Sequence, residues 1–211
     1  MDFSIPQPFS GASRRGLRVC APILVAAIAL GGCSINLGSL LPESDSEAPK
    51  AAPAETGRAD AQARNIRGQE LARSGKTEEA LAEFNAAIAI DPHNADALYN
   101  RGLLYQGEKQ HQVAIDDFTA ANGLTPQRAE PLLGRAISYL AIDKVAEAIA
   151  DLNEAVQSDP QNAQIWTTRG FAYERLGDKA KAAGSYRQAI NLRPRDEAAR
   201  SGLARVGGRP G

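Results

Sequence analysis

The chain has 211 residues, 43% of them apolar, enough for one core of ordinary size. Its net charge of -1 gives no general drive toward nucleic acid, and two cysteines with two histidines (His93 and His111) are too few for a structural zinc site or a disulfide framework. Aromatics are only 5% while alanine is abundant, which favours close-packed helices over strands.

Residues 1–32 differ from the rest. Arg14, Arg15 and Arg18 precede a continuously apolar run, "VCAPILVAAIAL", at 19–30. Those twelve residues are too few to cross a bilayer as a helix, which takes roughly 20. A basic segment followed by a short apolar one reads as a secretory signal. Both the general and the twin-arginine export routes stay open, since "SRRGLR" matches only part of a twin-arginine signal. Leu30-Gly31-Gly32-Cys33 resembles the lipobox of bacterial lipoproteins. The resemblance implies cleavage before Cys33, diacylglycerol on its thiol and an acylated, palmitate-bearing amino end. Small residues there let the backbone enter the peptidase, and the thiol is the nucleophile for lipid transfer. Cys20 would leave with the signal. Several acyl chains make a lasting anchor, at about 0.8 kcal/mol per buried methylene. Ser34 follows Cys33 where an aspartate would favour the inner membrane, so the expected location is the outer membrane, facing the periplasm.

Residues 33–60 form the lipidated N-terminus and its tether. From 34 to 60 the chain is rich in Ser, Pro, Ala and Glu, with five acids against two bases. Such a composition is expected to be disordered. Its reach is about 30 Å from the square-root law for flexible chains.

Beyond the tether the chain repeats. Pro92, Pro126, Pro160 and Pro194 recur every 34 residues. With proline at place 32 the units are 61–94, 95–128, 129–162 and 163–196. Place 8 is Gly68, Gly102, Ala136 and Gly170; place 20 is Ala80, Ala114, Ala148 and Ala182; place 27 is Ala87, Ala121, Ala155 and Ala189. Small residues at these places let two antiparallel helices approach closely. Place 24 carries bulk, with Phe84, Phe118, Leu152 and Tyr186. The first helix is predicted at places 2–14, the second at 17–29, and the proline marks the turn after it. No strand is predicted. Residues 197–203 of the final segment, 197–211, can form a short helix covering the last unit.

This pattern resembles the tetratricopeptide repeat family, and Trp166 stands at the place 4 where that family prefers tryptophan. The resemblance implies an all-α fold, a right-handed α-solenoid of four helix-turn-helix repeats closed by a capping helix. It also implies a non-enzymatic scaffold that needs no cofactor. Partner peptides of such proteins lie on the concave side, on places 2, 5, 9 and 12 of the first helices. Here these places give Asn65 and Gln69 in the first repeat, and then an apolar centre of Tyr99, Leu103, Leu133, Ile137 and Phe171, with Thr167 beside it. A contiguous apolar strip exposed to solvent points to a partner. The carboxylate clamp of the chaperone-binding members is missing, since Asn65 is followed by Gln69, Asn100, Glu130 and Gly134.

Place 7, where the family has leucine, is arginine in every repeat: Arg67, Arg101, Arg135 and Arg169. A cation near helix packing needs a partner. Place 23 supplies Glu83, Asp117 and Asp151, but Ser185 in the last repeat. Pairing each acid with the next repeat's arginine gives Glu83–Arg101, Asp117–Arg135 and Asp151–Arg169, and needs no acid at 185. A ladder of ion pairs between adjacent repeats is therefore predicted.

Sites for chemistry are not found. "SGKT" at 74–77 imitates the end of a phosphate-binding loop, but Glu70 stands where that motif needs glycine, so it reads as a turn between helices. No catalytic or metal-ligating constellation is assembled. Charge divides along the chain: residues 61–162 hold 15 acids and 9 bases, residues 163–211 hold 4 acids and 10 bases. In layout, a lipid anchor followed by repeats, the chain resembles the tetratricopeptide lipoproteins of the envelope, and that resemblance implies envelope proteins as partners, peptidoglycan hydrolases and proteases gathered by a scaffold; the alternative is a pilotin-like assembly factor serving the subunits of a pilus or secretion pore.

Overall fold

The computed structural model describes residues 53–207. The signal segment, the lipobox with Cys33, most of the tether and the last four residues lie outside the described residues.

The described residues form nine helices and no strand. They are α1 (Pro53–Arg73), α2 (Thr77–Ile90), α3 (Ala95–Gly107), α4 (His111–Leu124), α5 (Ala129–Ala141), α6 (Val145–Ser158), α7 (Ala163–Leu176), α8 (Lys179–Leu192) and α9 (Glu197–Arg205). Each repeat is an antiparallel pair, and α9 is the capping helix. One boundary departs from expectation. Helix α1 begins at Pro53, inside the segment expected to be tether. Proline suits a first helical turn, Glu55 faces the positive end of the helix dipole, and the closely approaching Gly57 and Ile90 seat the extension on the end of α2.

Packing follows the repeated places. The place-20 and place-27 alanines are fully buried in all four repeats, as are the place-24 side chains Phe84, Phe118, Leu152 and Tyr186. One core cluster joins α5, α6 and α7 around Leu132, Leu152 and Ile165. Another joins α7, α8 and α9 around Tyr186 and Leu203. Burying a leucine-sized side chain contributes about 2 kcal/mol, so α9 is held by Leu203 and by the Asp196 cap that accepts from Ala199 N at 2.9 Å.

Curvature is set by which helices meet. The backbone of each first helix closely approaches that of the next first helix, α1 to α3 and onward to α9, whereas the backbones of successive second helices stay farther apart. The row of first helices therefore lies on the inner side of the curve.

Place 15, between the two helices of a repeat, has positive φ every time: Gly75 (77°), Lys109 (62°), Asp143 (65°) and Gly177 (87°). The "SGKT" stretch is this turn; Lys76 N reaches back to Leu71 O at 3.0 Å, and the backbone there serves the helix end.

Candidate partner-binding face

The inner face is laced by hydrogen bonds between successive first helices. Asn100 donates to Asn65 Oδ1 at 2.9 Å, and Gln106 donates to Gly134 O and Ser138 Oγ, both at 2.7 Å. Arg128 binds Asp96 at 2.6 Å and lies over the Tyr99 ring, 5.9 Å from its centroid. Arg175 reaches from α7 to Leu140 O and Asp143 at the end of α5. Glu174 receives Arg205 Nε at 2.7 Å and the Tyr186 hydroxyl at 2.7 Å, tying α9 to α7 and α8. The periodicity showed none of these ties, because each depends on how closely neighbouring first helices lie.

That closeness changes the expected apolar strip. Tyr99, Leu103, Ile137 and Phe171 are half-buried. Leu133 is only 9% exposed and belongs to the core, and Ile137 and Phe171 pack against it. Thr167 is drawn into the α9 cap, its hydroxyl 2.8 Å from Asp196 Oδ2. Asn65, at the first repeat, is 1% exposed and cannot be reached from solvent. The strip is thus thinner than the sequence suggests, centred on Tyr99, Leu103, Ile137 and Phe171 with Gln69 and Glu130 flanking it. Tyr99 stacks near Phe118, ring centroids 5.8 Å apart, and burial pushes its hydroxyl up to about 12, helped by Glu130 and opposed by Arg128.

The ladder of ion pairs exists, but its pairing corrects the expectation. Arg101 binds Asp117 of its own repeat through Nε at 2.8 Å and Nη2 at 2.6 Å; Arg135 binds Asp151 likewise, both at 2.8 Å. Arg67 meets Glu83 at 3.4 Å. The predicted pairs Glu83–Arg101, Asp117–Arg135 and Asp151–Arg169 are not formed. Places 7 and 23 sit at the same height on the two helices of one repeat, within direct reach. The remaining edge of the guanidinium does cross to the preceding repeat, where Arg101 Nη1 meets Asn85 Oδ1 at 2.7 Å and Arg135 Nη1 meets Thr119 Oγ1 at 3.0 Å. Adjacent repeats are therefore tied by neutral acceptors at place 25. Arg169, expected to have an acid, donates Nε to Ser185 Oγ at 3.1 Å instead.

At the open end of the first repeat, a cavity of about 420 Å³ is lined by Asp60, Ala63, Arg64, Arg67, Glu83 and Ile90. Among the described residues, no group of three or more His, Cys, Asp or Glu could hold a metal ion, and no helix is long and apolar enough to cross a membrane.

Family profiles match this arrangement. A TPR repeat profile covers residues 68–108 and 138–177, and tetratricopeptide repeat profiles cover 95–128 and 163–196, together more than half the chain. The chain belongs to the tetratricopeptide repeat family. Its repeats make a protein–protein interaction scaffold, and proteins of this fold are generally adaptors without enzymatic activity. No curated protein matches it by sequence. Among solved structures, it is similar to MamA (residues 41 to the end) from Desulfovibrio magneticus RS-1, at 22% identity and TM-score 0.60, covering 68% of this chain and 80% of that one. It is similar to PilF of Pseudomonas aeruginosa at 20% identity and TM-score 0.65, covering 74% and 69%. The first TPR domain of Spaghetti (RPAP3), bound to the HSP90 peptide SRMEEVD, matches at 26% identity and TM-score 0.54, covering 56% of this chain and 93% of that one.

Proposed function

We propose that this protein is a lipid-anchored adaptor of the bacterial envelope whose inner face holds segments of partner proteins. The observation that carries the reading is the row of first helices presenting Tyr99, Leu103, Ile137 and Phe171, half-buried, along the inner curve. Half-buried apolar side chains on a rigid concave scaffold suit an extended or helical segment with apolar anchors. The peptide-bound RPAP3 domain supports peptide binding on such a scaffold, while the missing clamp favours a different class of segment here. The anchor rests on Leu30-Gly31-Gly32-Cys33 and the basic and apolar segments before it. Outer-membrane placement rests on Ser34.

A photo-crosslinking residue placed at Leu103, which lies outside both core clusters, tests the face in intact envelopes. Adducts with peptidoglycan hydrolases or proteases are expected. Adducts with secretin or pilus subunits would replace this partner set by the pilotin-like one. Adducts only from the exposed Gln112 on a second helix would refute the inner face. Palmitate labelling that survives Cys33→Ala would refute the anchor.

A further inference from the structure

The fourth repeat breaks the ladder, and the break leaves a cation on its outer side. In the second and third repeats a carboxylate covers the Nε and Nη2 edge of the place-7 arginine and a place-25 oxygen takes Nη1. Arg169 keeps only the Nε bond to Ser185 among the described residues, so both terminal nitrogens remain available. The Ser185 hydroxyl is itself committed to Lys181 O at 3.0 Å. Asn153, the place-25 residue that Arg169 would reach by analogy, lies 3.5 Å from the Tyr173 hydroxyl.

The arginine is nevertheless held. Its guanidinium carbon lies 4.4 Å from the centroid of the Trp166 ring and 5.9 Å from that of Tyr173. Trp166 is fixed in turn by its indole N–H, which donates to Pro160 O at 2.8 Å. Stacking orients the fork without neutralising it, and burial draws the guanidinium below the ordinary arginine value. A second cation lies close by, and the acid near it is already paired. Lys181 sits over Tyr173, its Nζ 5.4 Å from the ring centroid, and the nearby acid Asp178 is taken by Lys181 at 3.0 Å.

We propose that Arg169, backed by Trp166 and Ser185, is a second recognition site, on the side of α7 that meets α8, which accepts a carboxylate of a partner protein. The incoming carboxylate takes the Nη edge and stands in for the acid that Asp117 and Asp151 supply in the preceding repeats. A planar fork stacked on an aromatic ring is suited to bidentate carboxylate recognition. The site is separate from the inner face and does not depend on it.

The test uses the complete protein and three fluorescent peptides: amidated hexaglutamate, hexaglutamate with a free carboxyl end, and hexaglutamine with a free carboxyl end. Saturable binding with movement of the Arg169 Nε–Hε resonance is expected. Binding of amidated hexaglutamate assigns the site to acidic side chains; binding of hexaglutamine alone assigns it to a chain terminus. Ser185→Asp supplies the carboxylate from within, so it is expected to weaken binding about tenfold or more while raising the melting temperature. Arg169→Lys keeps the charge but loses the fork and is expected to weaken binding similarly. The proposal is overturned if no peptide binds, or if both variants bind as tightly as the parent, which would place the attraction on exposed Lys179, Arg187, Arg193 and Arg195.

Discussion

The ring of Tyr186 lies so close to Gly202 that a methyl group there would fall 2.2 Å from its Cζ. Gly170 sits against the same ring, where a methyl would come within 2.6 Å. Phe118 is held the same way by Gly102 and Gly134, at 2.9 and 2.7 Å. Phe118 and Tyr186 are thus each wedged between the first helix of their own repeat and that of the next unit, and Phe84 meets Gly68 of its own repeat. The third repeat solves the packing with Ala136 and Leu152, a larger place 8 facing a smaller place 24. Gly102→Ala is therefore expected to destabilise by about 1–3 kcal/mol in urea unfolding, the usual cost of overpacking. Adding Phe118→Leu should recover part of that loss. An unchanged or lower stability of the double variant would show that the two places do not share one volume.

Asp117 and Arg101 give the second prediction. Removing the acid leaves a half-buried cation without its counter-charge, and Leu98 at place 4 offers no aromatic ring of the kind Trp166 gives Arg169. Asp117→Ala is expected to cost about 3–5 kcal/mol. Double-mutant cycles separate the two pairings: Arg101 with Asp117 should couple by more than about 1 kcal/mol, Arg101 with Glu83 by close to zero. Strong coupling to Glu83 would reinstate pairing between repeats.

Much of the fold could be read from the sequence because the repeat is translational. Four prolines at one spacing give the units, and glycine, alanine and bulk at fixed places give the helix faces. The members of the ladder are legible in the sequence, and their pairing is not. Spacing makes Arg101 as plausible a partner for Glu83 as for Asp117; only the level meeting of places 7 and 23 decides. Pairing within a repeat leaves Arg169 without an acid, which is the arrangement the structure shows. On the inner face, helical periodicity locates Leu133 and Thr167 correctly on their helices. It carries no measure of how closely the next first helix approaches, and that approach buries Leu133 and Asn65. The start of α1 at Pro53 was hidden for a similar reason, since the contact between Gly57 and Ile90 lies across two helices.

Lys109 and Asp143 occupy left-handed backbone positions that Gly75 and Gly177 fill in the outer repeats. A side chain there costs about 1–2 kcal/mol. Lys109→Gly is expected to raise stability by about 1 kcal/mol after the greater unfolded-state freedom of glycine is offset. Asp143→Gly should gain less, because it gives up the ion pair with Arg175. Melting curves of the two variants check the order, and a loss on Lys109→Gly would contradict the strain argument.

Glu174 couples the capping helix to pH. The Arg205 hydrogen bond above all holds its carboxyl below the ordinary value of 4.5; burial opposes it, and the Tyr186 hydroxyl and the Arg205 charge add to the lowering. A carboxyl depressed in the folded state binds its proton more tightly when unfolded. Its contribution is therefore fully present above the ordinary carboxylate range and is lost as pH falls through the lower folded value. Protonation removes the charge facing Arg205 and weakens the tie between α7 and α9, while Leu203 and the Asp196 cap remain. The protection factors of α9 amides, corrected for the intrinsic pH dependence of exchange, are thus expected to fall as pH drops through the lowered folded value, ahead of those in α5 and α6. Glu174→Gln should show the lower protection already at neutral pH and lose most of the acid-dependent change. If α9 and α5 lose protection together in the parent protein, the cap is not a separately opening unit and the Glu174 contact is not what holds it.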